Sequence, residues 1–150
     1  MTWIKIIFLL LKYLFSTKRA LVLKGSKNAK NFISEKELNS YIREFLESYG
    51  HTYDPEQMIV IKIIKHKHVI HRSRMGDTRF RDGINYIRIF MPNINTRKEF
   101  ISVLFHELDH VMWNREKGPL YDVNTPYVKR PHEIRANKRS RVWAEKILGT

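Results

Sequence analysis

Cysteine is absent from this chain of 150 residues. The absence excludes a disulfide scaffold and any zinc site built on thiolates, so histidine and carboxylate side chains are the only strong zinc ligands available. The chain also lacks internal repeats and low-complexity tracts. Its length and its hydrophobic share of 43% predict one globular domain with a single core.

Acidic residues are scarce relative to basic ones. The chain has 15 Asp and Glu residues against 28 Lys and Arg residues, which gives a formal net charge of +13 at pH 7. Such a charge favours contact with nucleic acid, an anionic membrane surface or an acidic substrate. No aromatic-and-glycine signature of an RNA-recognition motif is present, so binding of nucleic acid through the basic surface is predicted from charge alone.

No hydrophobic run is long enough to span a bilayer comfortably. The longest, residues 3–15, contains Lys5 and Lys12, whereas a spanning helix needs about 20 apolar residues. It also lacks the basic start and the cleavage site of a signal peptide. We predict an apolar N-terminal helix over residues 1–24 that binds an anionic membrane surface through residues 1–19, acts as a pro-segment or packs on the domain. The expected location is cytoplasmic, at or anchored to a membrane.

One amphipathic helix carries the strongest functional signal. Its apolar residues recur with helical spacing on one face: Ile101, Leu104, Phe105, Leu108 and Met112. His106 and His110 lie one turn apart on the opposite side, with Glu107 beside them. In this HExxH pattern two neutral imidazoles hold zinc, and the carboxylate takes a proton from the zinc-bound water. Thr96 and Glu99 form a capping-box pattern at the start of the helix.

A third ligand is predicted in the segment that follows. Pro131 suits the first turn of a new helix, and Glu133 then supplies a carboxylate to complete a two-His, one-Glu zinc set. Asn137 lies one turn further along the same face and can accept the free ring N–H of a ligating histidine, which fixes the orientation of the ring. Asp122 and His132 are rival ligands.

These residues resemble the gluzincin metallopeptidases, which carry HExxH on one helix and ExxxD on the next. The resemblance covers the last third of the chain, and the short length is similar to minimal gluzincins and to IrrE/ImmA-like metallopeptidases. It implies that His106, His110 and Glu133 are the zinc ligands and that Glu107 is the general base. Asn137 stands where the family commonly has Asp. Peptide deformylase has a similar motif, but its third ligand is a cysteine, which this chain lacks.

The middle of the chain predicts two strands. Residues 58–64 are β-branched and continuous enough for a buried strand, and residues 83–91 alternate as a second strand. Residues 72–82 predict a charged turn. His66 and His68 would share one strand face and can bind metal as an HxH pair, although a solvated basic strand end is the favoured interpretation.

By resemblance to the same family, the strand before the metal helix lines the cleft and offers a free edge to an extended peptide. The residues expected at that edge are Tyr86, Ile87, Arg88, Ile89, Phe90 and Met91. An interior strand with both edges paired is the alternative.

The loop between the two metal helices contains two tyrosines. Tyr121 and Tyr127 are candidate donors to an oxyanion in the transition state. On the last helix, Arg135, Lys138 and Arg139 form a basic face that is expected to be solvated, with phosphate binding as the alternative.

The sequence therefore predicts an α+β, zincin-like fold with a small, mostly antiparallel sheet packed against a supporting helix and two metal-bearing helices. The expected division is an N-terminal helix over residues 1–24, a linker over 25–34 and a metallopeptidase domain over 35–150. The predicted cofactor is Zn²⁺, and the predicted activity is hydrolysis of peptide bonds in a protein or peptide substrate. The alternative is a non-catalytic, zinc-containing basic module that binds nucleic acid or an anionic membrane surface.

Overall fold

A computed structural model describes residues 3–7, 21–49, 58–66, 73–118 and 124–149. These residues form an α+β structure of four helices and one four-stranded sheet, so the predicted class is confirmed. The elements in chain order are α1 (residues 3–7), β1 (Leu21–Lys24), α2 (Glu35–Ser48), β2 (Ile59–Ile64), β3 (Gly76–Arg81), β4 (Ile84–Phe90), α3 (Arg97–Lys117) and α4 (Pro131–Leu148). Short 3-10 helices cover Ser26–Ala29, Met91–Asn93 and Tyr127–Lys129.

The sheet is mixed, with strand order β1-β2-β4-β3. β1 is parallel to β2, β2 is parallel to β4, and only β3 runs antiparallel to its neighbour β4. The predicted mostly antiparallel sheet is therefore wrong. β1 and β2 are parallel because the connection between them contains α2, and a crossover of this kind joins parallel strands.

β4, the strand that precedes α3, lies inside the sheet and not at its edge. Ile87 of β4 pairs with Ile61 of β2 on one side and with Thr78 of β3 on the other. The prediction that Tyr86–Met91 is a free substrate edge is therefore wrong, and Met91 lies beyond the strand in a 3-10 helix. The sheet edge next to β4 is formed by β3 instead.

β3 lies within residues 72–82, where the sequence predicted only a charged turn. Asp82 and Gly83 both have positive φ, 53° and 76°, and they join Arg81 to its partner Ile84 as a two-residue hairpin. An Asp-Gly pair is a strong hairpin signal because both residues tolerate this conformation. The hairpin returns the chain so that β4 lies between β2 and β3.

The helices begin and pack as their sequences predict. Both capping boxes are present, Ser34 with Glu37 at α2 and Thr96 with Glu99 at α3. The predicted apolar stripe of α3 is fully buried, and it joins α2 and α4 in one core. Rings of Phe45, Phe105 and Trp143, one from each helix, lie with centroids 5.2–5.3 Å apart. This packing fixes α3 and α4 side by side.

The described residues near the start of the chain do not follow the predicted division into an N-terminal helix and a linker. Residues 21–24 form β1 where the end of an apolar helix was expected, and the predicted linker contains Ala29 and Ile33, which are buried in the core. Gly25 lies at φ 73°, and a Cβ there would be 2.4 Å from the Ile63 carbonyl oxygen. Of the predicted helix, residues 8–20 lie outside the described residues. No helix in the described part of the chain is long and apolar enough to cross a membrane.

Candidate metal centre

Helices α3 and α4 bring the three predicted ligands together. The Nε2 atoms of His106 and His110 are 3.0 Å apart. Glu133 approaches both rings, with Oε2 lying 3.1 Å from His106 Nε2 and Oε1 lying 3.3 Å from His110 Nε2. One turn of α3 separates the histidines, and the first turn of α4 directs the carboxylate at them. The donor atoms of the cluster all lie within 4.8 Å of one another.

This arrangement fits a zinc ion. Donors bound at about 2.0–2.1 Å around a tetrahedral ion lie roughly 3.3 Å from one another, close to the separations found here. Glu133 is 5% exposed, and its Oε2 atom is a buried oxygen without a hydrogen bond from the described residues. Burial would raise the pKa of Glu133, but the contacts with His106 and His110 outweigh burial and hold it well below its usual value. A carboxylate that stays ionised while buried suits a metal ligand.

Glu107 lies next to the ligands at a cleft of about 310 Å³. Its side chain is buried, and the Thr78 hydroxyl of β3 lies 2.6 Å from Glu107 Oε2, so it can donate to that oxygen. Burial raises the pKa of the Glu107 carboxyl, and neighbouring His110 and the hydrogen bond from Thr78 oppose that rise. A carboxylate of raised pKa is a stronger base than an exposed one, which suits proton transfer.

Gly76 allows β3 to lie against α3 at this point. A Cβ at position 76 would be 2.8 Å from Val103 Cγ1 and 3.1 Å from Glu107 Cγ. Any larger residue would therefore push the strand away from the helix or displace the carboxylate. The distance between β3 and Glu107 depends on this glycine.

Asn137 lines a cleft together with His106, the ring that it is predicted to orient. Burial would lower the pKa of His106, but the neighbouring Glu133, Glu107 and Asn137 raise it. The orienting role of Asn137 stays a prediction.

Tyr127 is the one candidate oxyanion donor within the described residues. It lines the cleft beside Glu133. Partial burial and the neighbouring Glu133 carboxylate raise the pKa of Tyr127, so the hydroxyl keeps its proton. Tyr121 and the rival ligand Asp122 lie outside the described residues, as does His68 of the HxH pair.

His132, the other rival ligand, lies at the margin of the cluster. Its Nε2 atom is 3.5 Å from Glu133 Oε1, and its ring centroid is 5.6 Å from that of His110. Burial lowers the pKa of His132. Among the described residues, the group of donors that converge closely enough to hold a metal ion nevertheless contains only His106, His110 and Glu133.

A buried ionic network beside the ligands was not predicted. Asp109 is fully buried in α3, and it accepts hydrogen bonds from Arg135 Nε at 3.0 Å and Arg139 Nη1 at 3.2 Å, and also from the Tyr49 hydroxyl. The prediction that the face of Arg135 and Arg139 is solvated is therefore wrong for these two residues. A signal existed in the sequence, because Asp109 lies four residues after Phe105 of the buried stripe and so points toward a neighbouring helix.

Comparisons with known proteins return no relative of this chain. No protein-family model, no curated protein and no solved structure matches it.

Proposed function

We propose that the protein is a zinc-dependent metallopeptidase. The observation that carries the proposal is the convergence of three zinc-type donors, His106, His110 and Glu133, on one point beside a cleft. Two histidines and one glutamate are a standard catalytic set that keeps a further coordination position for water or substrate. When bound there, zinc acts as a Lewis acid that polarises a carbonyl and lowers the pKa of water.

Glu107 is the general base in this proposal. Its carboxylate takes a proton from the attacking water, and the same group then delivers a proton to the nitrogen of the departing amine. The buried position next to His106 and the hydrogen bond from Thr78 support this role, because they orient the carboxylate and keep bulk water away from it.

Tyr127 is the donor that stabilises negative charge developing on the oxygen of the cleaved carbonyl. Its hydroxyl remains protonated because its pKa is raised, and it lies at the cleft in contact with Glu133. A neutral donor preorganised at such a position contributes more in the transition state than in the ground state.

A peptide substrate is supported by the strand beside the centre. β3 pairs with β4 alone among the described strands, so its other edge offers unpaired backbone groups. Thr78 and Gly76 of this strand line the same cleft as Glu107. An extended peptide can add to such an edge by β-augmentation, which brings its backbone alongside the metal centre.

A structural zinc site is the rival hypothesis, and it needs a fourth protein ligand. His132 is the nearest candidate within the described residues, yet it does not belong to the cluster of converging donors. His132→Ala separates the two hypotheses. Unchanged zinc affinity supports an open, catalytic site, whereas a loss as large as that of His110→Ala supports a closed structural one.

The test of the proposal is zinc content together with peptide hydrolysis. After dialysis, the native protein and Glu107→Gln should retain about one zinc per chain, while Glu133→Ala should retain far less. His66→Ala, which removes an exposed histidine two residues after the end of β2, is the matched control for His110→Ala. Hydrolysis of a mixture of fluorogenic peptides should occur in the native protein and be lost in Glu107→Gln. A native protein without zinc, or hydrolysis retained in Glu107→Gln, overturns the mechanism.

A further inference from the structure

The cleft at the metal centre continues into two others along α3. The first and second clefts share four lining residues, among them Arg74 and Tyr127, and the second and third share Ser102, Asn137 and Ser140. The shared walls place the three clefts side by side along α3, from Trp113 to Lys98, and we call them together the groove. Because 15 residues of helix span about 22 Å, the groove can hold roughly six or seven residues of extended peptide.

Basic residues line this groove. Arg74 and Arg130 line the cleft at the metal centre, and Lys98 and Arg141 line its far end. The three acids of the first cleft all have partners, since Asp77 is paired with Arg88, Glu133 contacts His106 and His110, and Glu107 is hydrogen bonded to Thr78. Glu145 lines the far end. The four cations of the walls thus equal the four acids in number, so a bound anion must be held by cations that no acid already neutralises.

Arg130 is held beside the metal centre without an acidic partner. Its Nε atom donates to the Thr125 carbonyl oxygen at 3.0 Å, and its guanidinium lies 5.9 Å from the centroid of the Tyr127 ring. No carboxylate of the described residues forms an ion pair with it. Arg130 also precedes α4, where its carbonyl oxygen accepts from the Glu133 backbone N–H at 3.0 Å. The cation is thus fixed three residues from a ligand.

Arg74 offers a second cation at the same cleft. It lies 3.8 Å from Asp77, but that carboxylate already accepts two hydrogen bonds from Arg88. The side chain of Arg74 is 57% exposed, so a bound anion can replace its weak contact with Asp77 at little cost.

We propose that the groove binds an extended acidic peptide, with Arg130 and Arg74 holding a carboxylate side chain next to the metal centre. This inference rests on the proposed peptidase function, which supplies the reason for a peptide to lie there. A peptide is favoured over nucleic acid because one wall carries the unpaired edge of β3, which matches a peptide backbone. The net charge of +13 assists by attracting acidic partners from a distance.

The test uses the full chain carrying Glu107→Gln, loaded with zinc, so that peptides bind without being cleaved. The probes are two fluorescein-labelled heptapeptides, one alternating glutamate with alanine and the other alternating glutamine with alanine. Fluorescence anisotropy should give about tenfold tighter binding of the glutamate peptide, the size expected of two exposed charge pairs. The preference should shrink when salt is raised from about 0.05 M to about 0.5 M.

Substitutions that each remove one positive charge then identify the residues that bind the peptide. Arg130→Gln and Arg74→Gln should each weaken binding of the glutamate peptide about threefold and leave the glutamine peptide unchanged. Arg43→Gln removes the same charge from an exposed site on α2 that lines none of these clefts, and it should have no effect. Equal affinity for both peptides overturns the proposal, as does a loss in Arg43→Gln equal to that in Arg130→Gln.

Two further outcomes separate this inference from the proposed function. A glutamate preference that persists in protein unable to retain zinc refutes the peptidase but supports acidic-peptide binding. If zinc is retained and the glutamate peptide binds no more tightly than the glutamine peptide, only the proposed preference for acidic peptides is refuted. An oligothymidylate of seven nucleotides that binds more tightly than the glutamate peptide, and loses affinity in Arg130→Gln, would assign the groove to nucleic acid and overturn the proposal.

Discussion

Asp109 and Arg135 join helices α3 and α4, since Asp109 Oδ2 accepts a hydrogen bond from Arg135 Nε at 3.0 Å. Asp109 directly precedes His110, and Arg135 follows Glu133 by two residues. The contact therefore links the backbone segments that carry two of the three predicted ligands. Because Asp109 is fully buried, water does not hydrate its charge, and the guanidinium of Arg135 compensates that charge instead.

We expect Asp109→Asn to weaken both folding and zinc binding. Removing one charge of a buried pair leaves its partner uncompensated, at a cost of about 3 kcal/mol in the free energy of unfolding. Zinc affinity should fall at least about tenfold, because the helices that hold the ligands are no longer fixed against each other. Urea unfolding in EDTA measures the first effect, and competition with a chromogenic chelator measures the second.

The matched control is Asp82→Asn. Asp82 is 84% exposed and pairs only with the equally exposed Arg81, so its change should alter stability by less than about 0.5 kcal/mol. Equal effects of the two substitutions would show that the buried network contributes nothing specific to the ligand geometry.

Gly76→Ala tests the close approach of β3 to α3. The added Cβ would lie 2.8 Å from Val103 Cγ1, and overpacking of this kind costs about 1–3 kcal/mol. Activity should fall as well, since Glu107 Cγ is also within 3.1 Å of the new atom. Urea unfolding and peptide hydrolysis measure the two losses.

Val103→Ala supplies the second arm of this test. In the double variant the alanine at position 103 removes the nearest obstacle, so the two stability losses should sum to more than the loss of the double variant. Strict additivity, or a neutral Gly76→Ala, would mean that the strand tolerates a side chain and that Gly76 has no role in positioning Glu107.

The parts of the site that the sequence predicts are those that depend on helical periodicity. His106, His110 and Glu107 follow from one helix, and the capping boxes and the apolar stripe define that helix from local pattern alone. Glu133 follows from the donor chemistry of zinc in a chain without cysteine. Both kinds of reasoning use the pattern within one helix or the chemistry of the donors, and neither needs the pairing of distant strands.

The parts that the sequence did not predict depend on distant pairing. β3 has Phe80 as its single large apolar residue, so hydrophobic alternation could not identify it, although its Asp82-Gly83 hairpin could have. The insertion of β4 between β2 and β3 is set by strands far apart in the chain. The pairing of Asp109 with Arg135 likewise requires the side-by-side packing of α3 and α4, which no local pattern specifies.

Thr78→Val should move the acid limb of the pH profile to higher pH. A general base acts only when deprotonated, so activity is lost as pH falls through the pKa of Glu107. Burial raises that pKa above its ordinary value of 4.5, and the hydrogen bond from Thr78 holds the rise in check by favouring the charged carboxylate. Removing the hydroxyl while keeping the shape of the side chain raises the pKa further.

The measurement for this change is kcat/KM of peptide hydrolysis between about pH 4 and pH 9, with zinc content checked at each pH. Thr96→Val is unsuitable as a control because it removes a helix cap. Thr125→Val changes a half-buried loop residue that lines neither of the clefts beside Glu107, and it should leave the limb in place. A shift to lower pH in Thr78→Val would exclude Glu107 as the group that titrates.

Tyr127→Phe should reduce kcat by about a hundredfold while leaving zinc content and stability unchanged. The loss is that of one donor to the developing oxyanion. Stability is spared because the ring is 55% exposed and stays in place. Because partial burial and Glu133 raise the pKa of Tyr127, the hydroxyl remains a donor throughout the neutral range, so the substitution should leave the acid limb unmoved.

Tyr41→Phe is the control for this last substitution, since Tyr41 packs against the core from α2 and lines none of the three clefts along α3. A hundredfold loss confined to Tyr127→Phe, with KM little changed, would assign the hydroxyl to the transition state. Full activity in Tyr127→Phe removes it from the mechanism and leaves the zinc ion alone to stabilise the oxyanion. A loss of zinc in Tyr127→Phe would instead mean that the hydroxyl acts by orienting Glu133.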